Sequence, residues 1–147
     1  MLNFDFFNHR AEVRKALTSR MNHQCMDGLR HQDRQLERSN FAEVVWLVPL
    51  DGKQAEFGKA VPAVSKDISV QGLCLIHTAP LSDAEMVVGV PGQHGVNFFH
   101  CKVEHCSSMG YGYYQIGLFP SKVLKLSMSQ LMTWESRQAE FAEAPLA

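Results

Sequence analysis

The chain lacks an excess of charge of either sign. Its 14 lysines and arginines nearly match 15 aspartates and glutamates, leaving a net charge of −1 at pH 7. General nucleic-acid binders carry a basic field that displaces counterions from phosphates. The balance therefore argues against nucleic acid as a partner. Long hydrophobic runs are also missing. None approaches the ~20 residues of a membrane-spanning helix, so no membrane insertion is expected. The opening segment, Met1-Leu2-Asn3-Phe4-Asp5-Phe6-Phe7, is short and carries Asp5 where an export signal has a basic lead. The expectation is a cytoplasmic protein. No nucleophile–base pattern, phosphate loop or metalloprotease motif is present, and the seven histidines are scattered. An enzyme is not expected, nor a cofactor. There is no internal repeat and no low-complexity stretch.

Cysteine is sparse: Cys25, Cys74, Cys101 and Cys106. Without an export signal these are expected as reduced thiols. Cys74, within Leu73-Cys74-Leu75-Ile76, reads as a small hydrophobe. The run His100-Cys101-Lys102-Val103-Glu104-His105-Cys106 invites a zinc reading, but strand geometry opposes it. Side chains five apart on a strand point to opposite faces and lie ~16 Å apart. A tetrahedral site needs converging ligands, so no metal is expected.

What is present suits one domain with modest additions. The chain has 147 residues, 46% hydrophobic and 20% charged, ordinary for a globular fold. Residues 8–27 predict an amphipathic helix, capped by Asn8, with Val13, Leu17, Met21 and Cys25 four apart and a stop at Asp27-Gly28. Such a helix packs on the body of the fold or serves as a dimerisation or docking element. Residues 29–40 are polar and predict a loop. Apolar, β-branched and aromatic runs then predict strands at about 41–48, 56–65, 72–78, 84–90, 95–105 and 111–119. Turn signals separate them: Asp51-Gly52, Pro80, Pro91-Gly92 and Ser107-Ser108-Met109-Gly110, with Pro120 ending the last. Six short strands without interleaved helices imply an antiparallel barrel. Ser127-Met128-Ser129-Gln130 fits a capping box and opens a helix to about 142. Its apolar face, Leu131, Trp134 and Phe141, is expected to cover one end of the barrel.

Two motifs carry the functional signal. Arg34-Gln35-Leu36-Glu37-Arg38 places two arginines four apart just before an apolar strand. Asp67-Ile68-Ser69-Val70-Gln71-Gly72 opens another, with 28 residues between Arg38 and Asp67. Guanidinium groups are rigid forks suited to phosphate and to guanine edges. An Asp, a Ser and a Gly supply an acceptor, a hydroxyl, and a backbone that a ligand can approach or that adopts positive φ. The arginine pair alone is unspecific, since Arg10/Arg14 and Arg30/Arg34 share its spacing. The two motifs in this order, each at the mouth of a strand, resemble the PilZ domain family, which binds the bacterial second messenger cyclic di-GMP. The segment Tyr113-Tyr114-Gln115-Ile116-Gly117-Leu118-Phe119 resembles the family's closing strand. The resemblance covers roughly residues 30–122.

It implies a mainly β fold, a six-stranded antiparallel PilZ-like barrel over 29–122. Outside the resemblance, residues 1–28 are expected to add an N-terminal helix and 123–147 a C-terminal helix packed on the barrel. It also implies a cyclic di-GMP receptor in which Arg34 and Arg38 clamp phosphates and guanine edges. Asp67 would accept from guanine N–H groups, Ser69 would hydrogen-bond nearby, and Gly72 would admit the ligand to the backbone. Arg30 and His105 are additional candidates; some family members stack an aromatic residue on a guanine where this chain offers His105. Ligand would order the arginine loop and alter contacts with a downstream protein in motility, surface polysaccharide or virulence. The rival reading is a PilZ-like adaptor that works through protein contacts without ligand. Either a monomer or a homodimer is compatible with the sequence.

Overall fold

The computed structural model describes residues 11–13, 16, 38–39, 42–69 and 72–142, with 38, 39 and 69 placed by their backbone. Residues 11–13 and 16 are helical (α1). The strands are β1 Arg38–Ser39, β2 Val44–Val48, β3 Leu50–Asp51, β4 Gln54–Ala55, β5 Val61–Ser69, β6 Gly72–His77, β7 Glu85–Gly92, β8 Gly95–Gly110 and β9 Tyr113–Leu124. Helix α2 spans Met128–Ala142. The sheet runs β5-β2-β7-β8-β9-β6, and β6 pairs back onto β5. This closes a six-stranded antiparallel barrel, which leaves no open sheet edge along the closed rows. Strand β1 adds to β5 beyond the end of β2.

Alternation along the strands builds two cores. Val45, Leu47, Ile68, Leu73, Leu75, Val88, Phe99, Ile116 and Leu118 fill the barrel interior. Each such side chain contributes about 1.5–3 kcal/mol on burial. Val13 of α1 is fully buried in this interior cluster, with Ala16 beside it. The rest of the expected N-terminal helix, including Asn8, Leu17, Met21, Cys25 and Asp27-Gly28, lies outside the described residues.

The intervening residues Trp46, Val48, Val87 and Phe98 point outward and meet Phe57, Ala60 and Trp134. Trp134 sits edge-on to Trp46 at 4.8 Å and to Phe98 at 5.1 Å between ring centroids. Helix α2 therefore covers the outer wall of β2–β7–β8, not an end of the barrel as its apolar face suggested. The reason is that β2 is apolar on both faces. The capping box forms as expected: Ser127 N–H donates to Gln130 Oε1 at 2.8 Å, and Gln130 N–H donates to Ser127 Oγ at 3.2 Å. Arg137 Nε donates to the Ala60 carbonyl at 2.9 Å and ties the helix to the wall.

Several boundaries shift. Asp51-Gly52 leads into a small separate hairpin, β3–β4, whose turn is Gly52-Lys53 with Gly52 at φ 64°. A 3-10 turn over Phe57–Lys59 then buries Phe57 under α2, so the next strand begins at Val61 and not near 56. Pro91 and Gly92 lie inside β7, whose hairpin turns at Gln93-His94. Pairing of β2 with β7 stops at Trp46↔Gly89, so Pro91 interrupts no ladder on that side. Likewise Ser107–Gly110 belong to β8, and the turn falls at Tyr111-Gly112, where φ is 59° and 84°. Pro120 does not end β9. It sits at a bulge where Ser121 is the extra residue, and Ser121 Oγ donates to the His100 carbonyl at 2.8 Å.

Candidate functional site

The two motifs meet through the backbone. Arg38 of β1 stands opposite Ser69 of β5, and Ser39 opposite Ile68. Ser69 in turn pairs with Gly72 to close the β5–β6 hairpin. Arg38 is thus in a strand, where the sequence suggested loop. Residue Glu43, on the way from Arg38 to β2, is pinned as well. Its N–H donates to the buried Ser65 Oγ at 3.1 Å, and Ser65 N–H donates to its carbonyl at 2.8 Å. Arg30 and Arg34 lie outside the described residues.

Two bulges set the outer face of this wall. On β5 the register shifts between Ser65 and Asp67, with Lys66 the extra residue. Ser65 is buried inside, and without the bulge Asp67 would follow it inward. With the bulge, Ile68 is inside and Asp67 turns outward, half-buried. On β8 the register shifts between Val103 and His105, with Glu104 extra, and His105 turns outward by the same device. The register Asp67↔Cys74, Cys74↔Gly117 and His105↔Gly117 then makes one row across β5, β6, β9 and β8. Directly opposed residues share a face, so Asp67, Cys74, Gly117 and His105 share the outer one. Lys66 Nζ donates to Gln115 Oε1 at 3.2 Å beside this row.

The middle of the row is low. Gly117 has no side chain, and the His105 imidazole lies in the space its Cβ would take. The ring is therefore laid over the β9 backbone as an aromatic rests on a cross-strand glycine. Gly72 is not in the left-handed region; the described glycines with positive φ are Gly52, Gly95, Gly110 and Gly112. What a Cβ at Gly72 would meet is the Leu118 carbonyl oxygen, at 3.3 Å. The glycine of the second motif is thus explained by close approach of β6 to β9, not by turn conformation.

The bulge on β8 also corrects the reading of its cysteines. Cys101 is fully buried, and Cys106 packs against the same interior cluster, so the two face one side. Burial pushes the Cys101 thiol well above its ordinary range. Among the described residues, no three His, Cys, Asp or Glu side chains converge as a metal would need.

Sequence reasoning did not single out Cys74, Gly117 or Lys66 as parts of this face. A glycine inside an apolar strand was the available signal for Gly117, since such positions mark close approach. The bulges that aim Asp67 and His105 carry no local signature in the residues themselves.

No family model and no curated protein matches the chain. Among the described residues, no helix is long and apolar enough to cross a membrane. Among solved structures, the chain is similar to the Bacillus subtilis inhibitor of motility (MotI/DgrA), with 14% identity and a TM-score of 0.43 over 79% of this chain and 55% of that one. It spans about half the length of that protein.

Proposed function

We propose that this protein is a cyclic di-GMP receptor that reads the ligand on the outer wall formed by β5, β6, β9 and β8. The observation that carries this reading is the register Arg38↔Ser69↔Gly72, which joins the arginine motif to the hairpin of the second motif. Beside that junction the bulge at Lys66 turns Asp67 outward. In this reading Arg34 and Arg38 take phosphates and the O6/N7 edge of guanine in bidentate fashion. Asp67 accepts from the guanine N–H groups, and Ser69 adds a hydroxyl contact. Gly72 keeps the wall flat where the ligand arrives. The His105 ring, held over Gly117, offers a face for a base. Drawing the arginine segment across the wall changes the surface shown to a downstream protein, in control of motility, surface polysaccharide or virulence.

Calorimetric titration with cyclic di-GMP tests this. Arg34→Ala and Arg38→Ala should each weaken binding by about 1–3 kcal/mol, or roughly ten- to hundredfold, with the fold unchanged by circular dichroism. Arg30→Ala, outside the aligned motif, should matter less. Binding by the folded Arg34/Arg38 double variant equal to that of the native chain would sink the assignment.

A further inference from the structure

We infer that the site continues past Gly72 onto β8, where Phe119 and Lys102 form a second corner for the far base and phosphate of a cyclic dinucleotide. This rests on the reading above. The row next to Asp67–His105 runs through Ser69 and Gly72, which pair directly. Leu73 pairs with Leu118, so the next position on β9 beside Gly72 is Phe119. Phe119 pairs with Lys102 of β8, and Lys102 with Glu85 of β7. Leu118 and Pro120 are buried on either side of Phe119, and Cys101 and Val103 pack inward on either side of Lys102. Alternation therefore puts the half-buried Phe119 ring and the exposed Lys102 on the same outer face as Gly72.

The chemistry of this corner is a flat apolar ring beside a point charge. A base stacks on such a ring without regard to its hydrogen-bonding edge. An ammonium pairs with phosphate as a charge, not as a fork. The competitor for Lys102 is Glu85; its hydrogen bond goes to His100, whose Nε2 lies 2.8 Å from Glu85 Oε1, and Lys102 acts on it only as a lesser nearby charge. The first corner, with Asp67 and the arginine motif, reads guanine. The second lies three strand spacings away, about 14 Å, a span matched to a ligand with two bases and two phosphates.

The test is titration of cyclic di-GMP into the native chain, Lys102→Gln, Phe119→Leu and Lys122→Gln, each at several salt concentrations. Lys122 is an exposed lysine one row farther, opposite His100. Lys102→Gln should weaken binding about five- to tenfold and lower the slope of log affinity against log salt by about 1. Phe119→Leu should weaken binding by a similar factor while keeping the native slope, since it removes stacking and no charge. Lys122→Gln should bind as the native chain does. Native affinity and native slope in Lys102→Gln, with binding still lost in Arg38→Ala, would overturn the second corner and leave the receptor reading standing. No binding by the native chain would overturn both. Lys102 is exposed, so its variant keeps the question open to an answer even if Phe119→Leu fails to fold.

Discussion

At the scale of single residues, the outer wall uses one local device twice with different consequences. Gly89 lies between Trp46 and Phe98 in register, and a Cβ there would come within 2.6 Å of the Phe98 ring. Gly117 stands in the same relation to the His105 ring. What differs is the cover. Phe98 is held edge-on by Phe57 and by Trp134, at 5.1 Å from each. His105 is exposed. The Phe98 ring has nowhere to go, so Gly89→Ala should cost about 1–3 kcal/mol by overpacking. The His105 ring can swing into solvent, so Gly117→Ala should change stability by less than about 1 kcal/mol. It should nevertheless weaken cyclic di-GMP binding, because the imidazole leaves its place on the wall. Urea unfolding of the two variants, with a titration of the second, checks both halves. A large stability loss in Gly117→Ala would mean the ring is clamped by something more than its glycine.

At the scale of elements, the closed antiparallel barrel was readable because its cues are periodic and local. Val44 to Val48, Leu73 to Ile76 and Met86 to Val90 are apolar over strand-length runs, and the first and last are rich in valine. Ser127 and Gln130 announce the start of α2 by side chains that cap it. Pro91-Gly92 lies two residues before the turn at Gln93-His94, and Ser107–Gly110 lies wholly before the turn at Tyr111-Gly112. Proline and glycine punctuate strands, but a hairpin tolerates them where the neighbouring strand has already ended. The 3-10 turn over Phe57–Lys59 has no local cue, because what Phe57 buries against is distant in sequence: the Phe98 ring of β8 and helix α2. The same non-local origin hid the place of α2 itself. Its anchor is Trp134, which is 4% exposed and touches Trp46 and Phe98 on different strands. Trp134→Ala should therefore destabilise the whole protein by about 3–5 kcal/mol. It should also expose Trp46 and Phe98, giving binding of an apolar dye at temperatures below the unfolding midpoint. A loss under about 1 kcal/mol by urea titration would show that α2 is a peripheral element.

At the scale of the whole molecule, the near-zero net charge and the geometry of the wall bear on selectivity together. The candidate site residues were legible as motifs, but the register that sets Arg38 opposite Ser69 was not. Ser65 and Asp67 alternate in sequence as if one strand face held both, and only the bulge at Lys66 separates them. With a net charge of −1, the chain has no global field to concentrate anions. On the reading we propose, affinity for a dinucleotide comes from local contacts, part ionic and part directional. The ionic part is screened over a Debye length of ~10 Å at 0.1 M salt. The directional part, Asp67 toward guanine N–H donors and arginine toward O6 and N7, is not. Affinity for cyclic di-GMP should accordingly fall as salt is raised, while preference over cyclic di-AMP persists. Adenine presents an amino group where guanine has O6 and lacks the N2 donor. Competition titrations at low and high salt measure both quantities in one series. Equal competition by the two dinucleotides at every salt concentration would mean that the wall reads charge alone, and that Asp67 serves the β5–β6 hairpin and not a base.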